Sequence, residues 1–374
     1  MAKTIVILGA SYAGLTIAHK LLKHTLKTVK EEYKVVVVSP TTHHYWNLAS
    51  VRAIVPGQIP DEKLFSSIPD GLAQYKDKVL FVQGTATGVD TTAKTIIINT
   101  PSGEQKQVYD MLVITTGCRA IDDAPWKSSL SGYEATKDEL HKVQEQVKAA
   151  KTIVVGGAGP TGVETAAELG FEYGKNKEVT LITAGTQLLN DVPTSVATFA
   201  ENELKKLHVK VVKDTKIVSS STSADNKTEL TLSNGEKLVV DLYLPTIGVI
   251  PNSEFLPKDL LDNKGHVMVD QYLKVKGAED VWAAGDITDC QPAQIIYCEK
   301  QAEALSKNLE LVLTGKQPVV YKTDGPPIMG VSLGRSRATG RFGNMKMPSL
   351  IIWFVKGRTL GVQKLPGLVS GSAF

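Results

Sequence analysis

Short runs of consecutive apolar residues alternate along the chain with longer stretches that are apolar every third or fourth position. This is the pattern of buried parallel strands, each followed by a helix. The first run, Thr4-Ile5-Val6-Ile7-Leu8, leads through Gly9-Ala10-Ser11-Tyr12-Ala13-Gly14 into a helix spanning about 13–27, with Leu15, Ala18, Leu22 and Leu26 on one face. Residues 34–39 read as a second parallel strand. Residues 79–82, 85–90 and 95–98 alternate like paired strands, with a turn at 91–94, and 108–117 return as a buried strand ending at glycine. A charged amphipathic helix at 137–150 precedes a second apolar run, a second glycine turn and a helix at 162–173. A strand at 179–183, a helix at 191–207 and three antiparallel strands at 209–212, 229–232 and 237–240 follow, with turns at Ala224-Asp225-Asn226 and Ser233-Asn234-Gly235. Residues 242–248 again run from apolar strand to glycine, and 281–286 form an apolar run ending Gly-Asp before a helix at 294–313. Residues 332–366 read as a separate tail, in which 350–355 have the length of a core strand.

The two glycine turns carry the chemistry. Gly9 allows a tight turn and Gly14 a close approach of helix to strand, while the unpaired N–H groups of the helix start suit a pyrophosphate. Ser11 occupies the middle glycine position and can donate to phosphate. The second turn has the full G-x-G-x-x-G at Gly157, Gly159 and Gly162, with Pro160 and Thr161 between. Two such units in one chain imply two dinucleotides. An acidic residue commonly ends the following strand and binds a ribose; Ser39 and Thr183 stand there instead. Neither an acid nor an arginine follows Thr183, so the choice between NADH and NADPH is open. Asp286 suits a cofactor hydroxyl or a helix cap. The stretch His43-His44 to Arg52 reads as a cover over the bound nucleotide, with Arg52 approaching phosphate or flavin or lying on the surface. No carboxylate or cysteine lies at ligand spacing from the paired histidines, so no metal is expected.

Composition narrows the class. A chain of 374 residues has room for two or three domains, and 42% hydrophobic with 22% charged residues is ordinary for a globular protein. A formal net charge of +3 gives no electrostatic case for nucleic acid. Cys118, Cys290 and Cys298 form no C-x-x-C pair, which argues against disulfide exchange and zinc and fits a reducing compartment. The first strand begins by Thr4, leaving no room for a targeting peptide, no run reaches the ~18 apolar residues of a membrane span, and Ala2 replaces the glycine that myristoylation requires.

The order of motifs resembles that of two-dinucleotide-domain flavoprotein reductases. More narrowly it is similar to the apoptosis-inducing-factor-like and ferroptosis-suppressor group, related to type II NADH dehydrogenases. The residues concerned are Gly9–Gly14, Asp110–Gly117, Gly156–Glu164, Gly248-Val249-Ile250-Pro251-Asn252, Gly285-Asp286, the His43–Arg52 segment and the tail from Val331-Ser332-Leu333-Gly334-Arg335 to Trp353-Phe354-Val355-Lys356. The resemblance implies an α/β fold of two Rossmann-like three-layer domains, the second inserted in the first, plus a small α+β C-terminal region. The FAD-binding domain would take 1–120 and 249–320, the NAD(P)H-binding domain 121–248 and the C-terminal domain 321–374. Gly9 to Gly14 would hold the FAD pyrophosphate, Arg52 and the backbone of Ala86 would contact FAD, and Asp286 would bind the ribityl hydroxyls. Thr116, Gly117 and Gly248 lie at the crossings, Glu164 would orient the nicotinamide, and Lys356 would lie close to the isoalloxazine. The expected activity takes hydride from NADH or NADPH onto FAD and passes electrons to a small acceptor, a quinone above all. A signalling flavoprotein and a reductase of a ferredoxin-like protein are the alternatives. A cytoplasmic location, contact with the periphery of a membrane or lipid droplet, and a homodimer are all compatible with this reading.

Overall fold

The computed structural model describes residues 2–121, 124–223, 225 and 227–374. Ala224 and Asn226 of the expected turn therefore lie outside the described residues. The first apolar run is the centre of a parallel sheet ordered Val281–Ala283, Met111–Ile114, Lys3–Leu8, Tyr33–Ser39 and Val79–Gln83. Register is set by apolar pairs such as Ile7 opposite Val37 and Val113. Ile5, Val6 and Ile7 have no exposed surface, as strands covered on both faces require. A second parallel sheet, ordered Val209–Val212, Glu178–Ile182, Thr152–Gly156 and Leu242–Pro245, repeats the arrangement.

The second sheet falls in sequence between two strands of the first. The chain leaves through Cys118–Ala120 and returns through Val249–Pro251, and these two crossings pair antiparallel with Cys118 opposite Pro251. Thr116 Oγ1 donates to the Asn252 carbonyl at 2.8 Å, and Asn252 Nδ2 donates back to the Thr116 carbonyl at 2.9 Å. The two connections are thereby fixed to each other next to Gly117.

Several sequence expectations need correction. The first helix spans Tyr12–Lys23; His24, at φ −120°, leaves the helical region, and Thr25–Lys27 make a single 3-10 turn. Residues 79–83 are not part of the following antiparallel group: they pair parallel with Tyr33–Ser39 and form the sheet edge. Strand Gly103–Val108, polar on both faces, completes a three-stranded sheet with Thr85–Asp90 and Thr95–Thr100. Val209–Val212 is likewise a parallel edge strand, and the third member of its expected antiparallel group is the serine-rich, exposed Ile217–Thr222.

The largest correction is at 350–355. Instead of a core strand, this run is helical, as Ser349–Ile352 continued by a π-helical turn, Trp353–Gly357. It packs against the hairpin Ile328–Leu333 and Arg337–Phe342. A last helix, Leu365–Ser370, closes on the first helix through His19. The buried His19 ring holds the Val369 carbonyl at 2.9 Å through Nε2 and the Tyr75 hydroxyl at 2.7 Å through Nδ1, and it stacks on Phe374.

Burial lowers the His19 pKa to about 4. Its folded value thus lies below the unfolded value of about 6.5, and its contribution to stability is complete above the unfolded value. As pH falls from 6.5 towards 4 the unfolded chain takes up a proton that the folded chain refuses. Stability should then drop by about 1.4 kcal/mol per pH unit from this residue. Urea unfolding of wild type and His19→Gln between those pH values checks this: the variant should lose that part of the slope, and parallel profiles would show that another group is responsible.

Candidate active site

Each glycine turn is built by the same contacts. Gly9, at φ +98°, accepts on its carbonyl from Thr115 Oγ1 at 3.0 Å, and the same hydroxyl reaches the Leu8 carbonyl at 2.9 Å. Gly157, at φ +102°, is held by Thr246 Oγ1 at 3.0 Å, with the Gly156 carbonyl at 2.9 Å. A Cβ on Gly14 would stand 1.9 Å from the Gly9 carbonyl oxygen, and one on Gly162 would stand 1.8 Å from that of Gly157. Both third glycines are therefore required by the helix-to-strand approach. Gly159 differs: a Cβ there would meet nothing within 4 Å. The protein itself does not require this glycine, and the open space leaves its backbone accessible to a ligand.

The first turn opens into a cavity of about 420 Å³. The expected cofactor residues Gly9, Ala10, Ser11, Tyr12, Ala13, Ser39, Ala86, Thr116, Gly117, Gly285 and Asp286 all line it. Ala86 sits at an irregularity in the pairing of Thr85–Asp90 with its neighbour. The Ser39 hydroxyl is already engaged by the Thr41 amide at 3.3 Å. His43 and His44 form part of the wall, together with Asn47. Asn47 Oδ1 accepts from the Tyr12 hydroxyl at 3.0 Å, and its Nδ2 donates to the Trp126 carbonyl at 2.7 Å, so this segment is held over the cavity.

FAD fits this lining by an observation independent of motif. His44 Nε2 is buried and has no hydrogen-bond partner, although the ring lies in the cavity wall. Burial lowers the His44 pKa to about 3, so the ring is neutral and offers one unused nitrogen to a bound group. Lys127 was not legible in the sequence. Its Nζ lies 2.7 Å from Asp286 Oδ2, and both residues line the cavity. Burial pulls the lysine pKa down, but Asp286 outweighs burial and keeps it above the ordinary value. Lys127 lies on the irregular stretch after the first crossing, where no periodicity marks a side chain as inward-facing. Its neighbour Trp126 fixes that stretch by donating from Nε1 to the Pro245 carbonyl at 2.7 Å.

The three cysteines are unpaired. Cys118 and Cys298 line the cavity, where burial and then Asp286 push the Cys118 thiol up to about 12 and drive Cys298 up as well. Both are neutral at physiological pH and lack the thiolate that exchange chemistry needs.

The helix of the second turn, Pro160–Tyr173, carries three glutamates at helical spacing, each met by a cation from elsewhere in the chain. Glu164 Oε1 accepts from Lys356 Nζ at 2.6 Å, from the Ser332 amide at 2.8 Å and from its hydroxyl at 3.2 Å. The two side chains expected to act near the nicotinamide and the flavin are thus in contact. Glu172 pairs with Arg335. Glu168, fully buried, takes Arg52 Nη2 at 2.7 Å and Nε at 3.0 Å. Arg52 therefore departs from the expected cofactor contact: it is outside the cavity lining, and Nη2 and Nη1 also donate to the carbonyls of Gly357 and Arg358. Thr161 lies in the first turn of the same helix, and Thr183 directly follows the strand Glu178–Ile182, where its hydroxyl receives the Gly185 amide at 3.2 Å. Gly248 stands just before the return crossing, away from the cavity lining.

Arg52→Met should cost about 3–5 kcal/mol, because it leaves a buried carboxylate uncompensated. Adding Glu168→Leu to it should restore at least half of that loss. Urea unfolding of the two single variants and the double variant measures the coupling, and simple additivity would contradict it.

A family model described as pyridine nucleotide-disulphide oxidoreductase matches residues 3–302. Among curated proteins, "Oxidoreductase ptaL" of Pestalotiopsis fici is 48% identical over 371 residues, covering 99% of both chains. "Ferroptosis suppressor protein 1" of Xenopus tropicalis is 28% identical over 374 residues, covering 96% of this chain and 94% of that one. Among solved structures, the sulfide:quinone oxidoreductase from Aquifex aeolicus superposes with a TM-score of 0.79 at 17% identity, over 99% of this chain and 92% of that one, which bears on the fold alone. With its two glycine turns, its cavity and these relatives, the chain belongs to the pyridine nucleotide-disulphide oxidoreductase family and is an oxidoreductase using FAD and NAD(P)H.

Proposed function

We propose that the protein is an NAD(P)H:quinone oxidoreductase. The observation that carries the reading is the Glu164–Lys356 contact, which joins the first turns of the second glycine-motif helix to the C-terminal segment. Bound FAD supplies the relay between a two-electron hydride donor and the acceptor. The chain's own task is then chiefly positioning. Gly9 to Gly14 and the helix start behind them hold the pyrophosphate, and Asp286 takes the ribityl hydroxyls, with Lys127 fixing its carboxylate. Gly157 to Gly162 hold the second dinucleotide, and Glu164 orients the nicotinamide. Lys356 commits two of its three N–H bonds, to Glu164 and to the Gly330 carbonyl at 2.8 Å. The third is available to the carbonyl oxygen of an acceptor.

Two features support a quinone. The cavity thiols are neutral and unpaired, so a diffusing acceptor suits the site better than an internal disulfide. The segment that carries Lys356 also presents apolar side chains to its surroundings, which suits a lipophilic acceptor. The fold likeness to a sulfide:quinone oxidoreductase is in keeping with this reading.

The purified protein should be yellow and should bleach under anaerobic NADH or NADPH, the faster of the two being the coenzyme. A short-chain quinone should restore the colour faster than a ferredoxin. Glu164→Gln should keep its flavin and slow the bleaching by about 10- to 100-fold, the scale expected for a misplaced reactant. Full-speed bleaching in that variant would remove Glu164 from the reaction, and reoxidation by ferredoxin alone would remove the quinone.

A further inference from the structure

Ser11, at the middle glycine position of the first turn, is the N-cap of the helix Tyr12–Lys23, in extended backbone at φ −104° and ψ −152°. A serine in that place commonly turns its hydroxyl back to an amide of the first helical turn. Ser11 makes no such bond. Its Oγ lies 3.4 Å from His44 Nδ1 instead. The cap hydroxyl is thus directed to the segment that covers the cavity, and the N–H groups of the helix start are left to a ligand.

His44 is held in place from several sides. Its strand, His43–Tyr45, pairs antiparallel with Phe65–Ser67, His44 standing opposite Ser66. The imidazole meets the Tyr12 ring edge-on at 4.7 Å and the Trp46 ring at 6.1 Å, and Tyr12 is itself tied to Asn47. His44 is 1% exposed, yet it belongs to the cavity wall, and its Nε2 has no partner in the protein. A buried polar nitrogen is costly to leave unpaired, so this one calls for a partner from the cavity.

The Ser11 contact decides what kind of partner that is. Burial keeps the ring neutral, so one of its nitrogens donates and the other accepts. Which nitrogen carries the proton is set by the bond that the other makes. A hydroxyl donating to Nδ1 leaves the proton on Nε2, and the free nitrogen is then a donor. The group it suits is an acceptor beside the first glycine turn, and the pyrophosphate held by Gly9 to Gly14 supplies anionic oxygens there. Bonds to a charged acceptor are the stronger ones.

We propose that His44 donates from Nε2 to a phosphate oxygen of bound FAD, and that Ser11 fixes the required tautomer from Nδ1. His44 is a binding residue, and Ser11 is a positioning residue that acts through it. The serine thereby has a task that the glycine of the motif could not perform. The assignment rests on FAD occupying the cavity and is independent of the electron acceptor.

The FAD-loaded full chain is to be diluted in series, with released flavin read by its fluorescence. His44→Phe keeps an aromatic ring against Tyr12 and Trp46 but lacks the donor. It should release FAD at protein concentrations about 10- to 100-fold higher than wild type, the scale of a lost hydrogen bond to a charged group. Ser11→Gly should weaken retention by a smaller factor, and should change nothing when added to His44→Phe. ADP carries the same pyrophosphate without the flavin. With FAD in excess, ADP should therefore displace it from wild type and from His44→Phe at the same concentration. A His44→Phe variant that retains FAD like wild type, or a Ser11→Gly effect that persists undiminished in its presence, overturns the proposal. So does ADP that displaces FAD from the variant at about tenfold lower concentration, since the lost bond then belongs to the flavin half. Should the phenylalanine variant fail to fold, Ser11→Gly with unchanged retention is enough to overturn it. Wild type that carries no flavin overturns it together with the FAD site itself.

Discussion

The buried ion pair of Arg52 and Glu168 is the constraint on which the remaining arrangement depends. Neither charge can be left without the other, because an ion moved into a protein interior costs several kcal/mol. Their meeting fixes three parts of the chain at once. Glu168 belongs to the helix of the second glycine turn, Arg52 to the short helix following the histidine pair, and the carbonyls of Gly357 and Arg358 that share the guanidinium to the C-terminal helical segment. One turn earlier on the same helix, Glu164 is placed to take Lys356; one turn later, Glu172 takes Arg335. Three carboxylates at a four-residue spacing thus convert the period of one helix into the mutual position of the two dinucleotide-binding units and the C-terminal region.

Both glycine turns were legible in the sequence because their determinants are local. A strand, a glycine at positive φ and a glycine packed against a carbonyl oxygen lie within a dozen residues, and the cavity lining follows the first of them closely. What could not be read depends on partners distant in sequence. Arg52 looked like a cofactor ligand because nothing near it announces Glu168, which stands 116 residues away. Lys127 sits in an irregular segment and gains its meaning only from Asp286, 159 residues on.

The errors of secondary structure have a common origin. Residues 350–355 are a continuous apolar run, and such a run has no period by which strand and helix can be told apart. The Pro348 that precedes it and the glycines of the hairpin beneath it favour a helix lying across them. Ile217–Thr222 and Gly103–Val108 carried too few apolar residues to be noticed; they are strands because their backbone groups pair with a neighbour, not because their side chains are buried.

The paired threonines beneath the glycine turns have a consequence for the history of the chain. Thr115 lies 106 residues after the glycine it holds, and Thr246 lies 89 residues after its counterpart, yet the two hydroxyls make the same bonds to the same two carbonyls. Such agreement in contacts, with disagreement in everything between, is what duplication of an ancestral unit leaves behind once its copies have diverged. The intervening stretches were free to change length and content, and only the one between Gly9 and Thr115 gained the histidine-bearing cover of the cavity. In the second copy a Cβ on the middle glycine, Gly159, would meet nothing within 4 Å, and that openness suits a nucleotide that arrives and departs, as a consumed coenzyme must.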